Sequence, residues 1–82
     1  MDGEVYDAIK DSAESEFNKE YDAMSSGEKE AERERIIKQQ YGENAKIDDD
    51  GNVTVNGNEV ATGLTEEDIK TLGIEQKASA AA

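Results

Sequence analysis

Carboxylates are the side chains of this chain with the most chemical potential. Five of them, Glu4, Asp7, Asp11, Glu14 and Asp22, fall within an arc of roughly 80° when residues 4–24 are wound as a helix at about 100° per residue. The stripe is about 27 Å long at a rise of about 1.5 Å per residue, which averages about one charge per 7 Å. A DNA strand advances about 3.4 Å per phosphate, so the stripe offers about one charge for every two phosphates. Lys10 and Lys19 lie outside the arc. A merely solvated helix face fits the same letters, but such a face usually mixes signs. The lysine-free stripe therefore points to a surface that imitates nucleic acid.

Two other carboxylate arrangements carry less. Asp48, Asp50, Asn52, Thr54, Asn56 and Glu59 occupy positions 1, 3, 5, 7, 9 and 12 of an EF-hand count, with Val55 at the apolar eighth position. Position 6 is Val53, where such a loop needs glycine for its sharp turn, and Asn56-Gly57 and Gly63 oppose the helix that should follow. A β-hairpin explains the same residues with fewer violations, leaving a weak calcium-binding module as a distant alternative. For hydrolysis by paired carboxylates, nothing among the 21 acids singles out one pair, and no long pocket-forming loop is available. The chain has neither histidine nor cysteine. Imidazole acid–base chemistry, thiol nucleophiles, thiolate zinc sites and disulfides are thereby excluded. No catalytic residue, metal ligand or cofactor is expected, and the chain reads as non-enzymatic.

The 21 acids stand against nine bases for a net charge of −12. Residues 1–24 carry −6, residues 25–45 carry −1 and residues 46–82 carry −5. Direct nucleic-acid binding would require a basic face to neutralise phosphates, and an anionic membrane would repel this chain equally. The partner that fits is a protein with a basic surface, reached by electrostatic steering. No stretch approaches the roughly 20 apolar residues of a membrane span, and no basic segment leads into an apolar run as in a signal peptide. The expected location is the cytoplasm, or the host cytoplasm for a phage-encoded chain. At 82 residues the chain makes one small domain with a thin core; a homo-oligomer would enlarge that core and stays open.

The elements that must position these residues are legible from periodicity. Val5, Ile9, Ala13, Phe17 and Tyr21 recur every four residues and Met24 follows, predicting a first helix over 4–24. Glu16 and Glu20 fall within its apolar arc, so its amphipathicity is imperfect. Ser25 and Glu28 fit a capping box that opens a second helix from about Ser26 to Tyr41, with Gly42 ending it. Its body, Glu28 to Arg35, is almost wholly charged, and Ile36, Ile37 and Tyr41 are its anchors. Val53-Thr54-Val55 alternates as a half-buried strand, and Asn56-Gly57 is a strong type I′ hairpin signal leading to Asn58–Ala61. Ile47 precedes the turn run Asp48–Asn52 and completes a meander.

Leu64-Thr65-Glu66-Glu67-Asp68-Ile69-Lys70-Thr71-Leu72-Gly73-Ile74 predicts a short helix over 64–74. Thr65 and Asp68 form a capping box, Leu64 and Ile69 a hydrophobic staple, and Gly73 with Ile74 a Schellman stop. These eleven residues resemble the central helix segment of sterile alpha motif domains, a family in which the segment leads into a longer C-terminal helix. Local capping physics generates the same letters, and no function is carried over from the resemblance. Residues 75–82, ending in Ala-Ser-Ala-Ala-Ala, read as a flexible, frayed tail, with helix as the alternative, beyond a single domain of residues 1–74.

The expected fold is therefore α+β: two N-terminal helices, an antiparallel meander of two to three strands and a short C-terminal helix. The first helix is expected to pack on the meander through Ile9, Phe17 and Tyr21 against Val53 and Val55. The function expected is a small acidic inhibitor that occupies a basic nucleic-acid-binding surface, in the manner of phage or mobile-element anti-restriction and anti-CRISPR products. The alternative is a virion or assembly subunit that docks on a larger protein through the charged helix Glu28–Lys38 and the apolar residues Ile36, Ile37 and Tyr41.

Overall fold

The computed structural model describes residues 3–81, with side-chain environments for residues 7–80. Helix α1 spans Gly3–Asp22 and helix α2 spans Ser26–Tyr41. Three short strands follow, β1 at Ala45–Ile47, β2 at Val53–Val55 and β3 at Asn58–Ala61, and helix α3 at Glu66–Ala81 closes the fold. The sheet is an antiparallel meander in the order β1-β2-β3. This is the α+β architecture expected from the sequence.

Local chemistry sets several boundaries. Ser25 caps α2, its hydroxyl accepting from the Glu28 N–H at 3.3 Å while the Glu28 carboxylate accepts from the Ser25 N–H at 3.4 Å. Thr65 and Asp68 make the same reciprocal pair at 3.1 and 3.0 Å at the start of α3. Each box satisfies amides that the first turn of a helix cannot. Asn56 at φ 53° and Gly57 at φ 83° turn the β2–β3 hairpin, as the type I′ signal requires. Val53 pairs with Ala61 and Thr54 with Glu59, so Val60 is the extra residue of a bulge on β3. Its side chain is 49% exposed, alone among the large apolar residues described.

Three expectations about packing are corrected. The first concerns the neighbour of α1, which is chiefly α3 rather than the meander; α2 packs on both α3 and β1. Second, α3 does not stop at Gly73. It runs on to Ala81, so the segment expected as a flexible tail is helical, and Ala78 within it is fully buried. Third, Gly73 is an interhelical contact. A Cβ there would lie 2.6 Å from Phe17 Cε2 on α1 and 2.8 Å from Ile36 Cδ1 on α2. The missing side chain lets one turn of α3 seat against both earlier helices, which explains why the helix passes through a residue of poor helix propensity. Phe17, Ile36, Ile37, Val53, Ile69 and Ile74 form the core around this seat.

The β1–β2 turn is held by a second close approach. Gly51 has φ 79°, and a Cβ on it would collide with the Leu64 carbonyl oxygen. The Gly51 carbonyl accepts from the Leu64 N–H at 3.0 Å, tying the turn to the lead-in of α3.

These contacts set a ranking that urea denaturation measures. Gly73→Ala gains about 1 kcal/mol of helix propensity but overpacks a closed core at about 1–3 kcal/mol, so a net loss of stability is expected. Gly57→Ala loses about 1–2 kcal/mol from the left-handed backbone alone, because open space surrounds it. Gly51→Ala adds a backbone clash to the same strain and is expected to lose at least twice as much as Gly57→Ala.

Candidate acidic interface

The stripe lies on the outer side of α1. Ala13, Phe17 and Tyr21 are buried, while Asp7, Asp11, Glu14 and Asp22 are exposed. Glu4 belongs to α1, but its side chain and that of Val5 lie outside the described residues. No cation is within ion-pair distance of Asp7, Asp11, Glu14 or Asp22 among the described residues. Glu16 and Glu20, the acids that spoil the apolar arc of α1, instead meet Lys77 of α3 at 3.6 and 3.8 Å. Exposed pairs of this kind contribute little stability, but they separate two groups of carboxylates on one helix. Glu16 and Glu20 face a lysine, and the stripe faces solvent.

Tyr21 fixes the rotation of α1 and hence the direction of the stripe. Its hydroxyl donates to Glu66 Oε1 of α3 at 2.9 Å and accepts from Arg33 Nη1 of α2 at 3.4 Å. Its ring stacks on Phe17 with centroids 5.7 Å apart, and the ammonium groups of Lys29 and Lys70 each sit 5.3 Å from its centroid. One side chain thus joins all three helices. Burial, and then the Glu66 carboxylate, push the Tyr21 phenol above its ordinary value, with the Arg33 contact opposing them. The hydrogen bond to Tyr21 in turn raises Arg33.

A second acidic surface appears that the sequence reading did not assemble. Glu30 and Glu34 of α2, Asp48 and Asp49 of the β1–β2 turn, and Glu66 of α3 line a concavity of about 270 Å³ around Arg33. These carboxylates come from three elements, and only the dense acidic runs at Asp48–Asp50 and Glu66–Asp68 hint at it in the sequence. Among the described residues, no three carboxylates come together in a way that could hold a metal ion. Asp48 accepts backbone N–H bonds from Asp50 and Asn52, each at 2.9 Å. The Asn52 amide foremost holds its carboxyl below the usual range. Thr54 lies in β2 and Glu59 in β3, so the residues of the calcium count are spread over two hairpins.

The docking alternative loses most of its apolar residues to the fold. Ile36 and Ile37 are 0% exposed within the chain's own core, leaving Tyr41 half-buried. No described helix is long and apolar enough to cross a membrane.

No protein-family model, curated protein or solved structure matches this chain. The resemblance to sterile alpha motif domains accordingly stays with Leu64–Ile74. Here those residues follow a three-stranded sheet, and Glu66–Ile74 among them form the first part of a 16-residue helix.

The Tyr21 joint has a pH signature. A phenol raised in the folded state stabilises the fold fully below the ordinary value of about 10 and loses that contribution as pH rises through the folded value. The informative quantity is the difference between the native chain and Tyr21→Phe, which keeps the ring and both lysine contacts. Near neutral pH, Tyr21→Phe is expected to cost about 1–2 kcal/mol of stability. Thermal melts between about pH 8 and about pH 11 should show that gap closing as Tyr21 ionises.

Proposed function

We propose that this chain is a non-enzymatic, protein-binding domain that places carboxylates where a basic partner expects nucleic-acid phosphates. The reading rests above all on the α1 stripe, whose described carboxylates are exposed and unpaired, on a helix whose rotation Tyr21 fixes. Preorganisation supports it: charges on a packed helix lose little conformational freedom on binding, so more of the electrostatic attraction appears as affinity. The second acidic concavity adds to the negative field and favours rapid encounter with a basic groove. The partner class is a protein that handles DNA or RNA, and the mode of action is competitive occupation of its groove. Among small acidic proteins that act in this way, an anti-restriction or anti-CRISPR role in a host cytoplasm is the biological setting proposed.

Charge reversal tests the reading without touching the core. Asp7→Lys, Asp11→Lys and Glu14→Lys change exposed positions and are expected to leave the melting temperature near that of the native chain. The triple variant should reduce partner affinity by at least about a hundredfold, or about 2.7 kcal/mol, as several close charge contacts become repulsive. Surface plasmon resonance at low and high salt measures this, with the native complex weakening strongly as salt rises. Unchanged affinity in the triple variant would sink the proposal.

A further inference from the structure

Asn56 and Gly57 form the tip of the β2–β3 hairpin, and both are exposed. Neither the Asn56 side chain nor the Gly57 N–H has a hydrogen-bond partner among the described residues. No atom stands within 4 Å of where a Gly57 Cβ would lie, and glycine brings no side chain of its own to shield its nitrogen.

The chemistry open to this pair is ring closure. Once the Gly57 N–H loses its proton to hydroxide, its nitrogen can attack Asn56 Cγ. The N–Cγ bond forms, the Cγ–Nδ2 bond breaks, and ammonia leaves with a proton from water. Water then opens the cyclic imide at one of its carbonyls. One opening leaves aspartate at position 56. The other leaves isoaspartate, in which the main chain runs through Cβ and Cγ.

Elsewhere the structure withholds this reaction. Asp50-Gly51 could close the same ring with loss of water, but Gly51 is buried and its N–H donates to the Asp48 carbonyl at 3.1 Å. Asn52 precedes β-branched Val53, and its Oδ1 accepts from the Gly63 N–H at 3.2 Å. Asn18 is held in the regular backbone of α1. Asn44 and Asn58 are exposed but precede Ala45 and Glu59, whose Cβ atoms hinder the attack. At Asn56 the type I′ turn itself resists closure while intact. Its first central residue has ψ near about +30°, which points the Gly57 nitrogen away from the Asn56 side chain. Reaction therefore proceeds from the opened hairpin. Opening is easy here, because β2 has three residues, β3 has four, β3 is the sheet edge and its register is broken at the bulge. Short strand pairs are marginal alone, and such segments open without global unfolding.

We propose that Asn56 is a site of spontaneous modification in the folded protein, converting through the Gly57 imide to isoaspartate and aspartate, a one-way change that loosens β3. Each conversion adds a carboxylate to a chain of net charge −12. The isoaspartate product also lengthens the turn by one backbone methylene, and turn length fixes the β2–β3 register. The helices, seated at Gly73, stay closed.

The test ages the full chain in mildly alkaline buffer and maps its peptides by mass spectrometry. Amide-to-acid conversion is expected first at Asn56, with isoaspartate the larger product, and at least about tenfold more slowly than in the urea-unfolded chain. Asn56→Gln should abolish it, because the longer side chain would have to close a larger ring. Gly73→Ala separates local from global opening: it strains the helix contact and leaves the hairpin untouched, so an unchanged rate is expected. A rate that rises in step with the stability lost in Gly73→Ala would overturn the proposal. So would a native chain that keeps Asn56 intact while the unfolded chain converts, or conversion at Asn44 or Asn58 as fast as at Asn56. In the isoaspartate form, nuclear magnetic resonance should show shifted β2 and β3 amides and unchanged helical amides. Unaltered strand amides would contradict the loosening of β3.

Discussion

The close approach of three helices at Gly73 is the contact on which the rest of this small fold depends. An 82-residue chain buries only about 60–65% of the surface it exposes when unfolded, so its stability rests on a few tight contacts. At Gly73 the ring of Phe17 and the tip of Ile36 occupy the space where any other residue would carry its Cβ. That seat makes α3 the central element: α1 packs along it, α2 packs against it, and α2 carries β1 and through it the sheet. Tyr21 adds a polar joint beside the seat, reaching Arg33 and Glu66 with one hydroxyl. Apolar closeness holds the helices together, and the joint sets their rotation.

Rotation is what turns acidity into a surface. The same carboxylates on a loosely packed helix would average over many directions and lose most of their geometric content. Here Glu16 and Glu20 turn toward Lys77 while Asp7, Asp11, Glu14 and Asp22 face solvent. The division follows from how α1 lies against α3, and hence from Gly73 and Tyr21. Structure and proposed function therefore meet at one place: the core contact that closes the domain also orients the stripe. The Asp48 turn and the start of α3 bring further carboxylates around Arg33, so the negative field is not confined to one helix.

Local signals in the sequence proved reliable because their physics is local. Ser25 with Glu28, Thr65 with Asp68 and Asn56 with Gly57 each act over two to four residues, and each forms as the letters imply. Gly73 shows the limit. A glycine after a short apolar run reads equally well as a helix stop or as a seat for a neighbouring helix, and only the distant Phe17 and Ile36 decide between them. A helix that stops at Gly73 leaves out the second half of α3, and with it Gln76, Lys77 and the buried Ala78. The α1 stripe was legible because one helix carries all of it. The concavity around Arg33 was not, because its carboxylates come from three elements whose relative placement no periodicity encodes.

The central claim is that this chain and a nucleic acid compete for one basic surface. The most direct measurement captures the partner from nuclease-treated lysate on the immobilised chain and then titrates a short DNA or RNA oligonucleotide onto the washed complex. The expected result is displacement of the partner at oligonucleotide concentrations near the partner's own affinity for that nucleic acid. A complex that binds the oligonucleotide without releasing the chain would contradict the claim, and so would a partner with no affinity for nucleic acid.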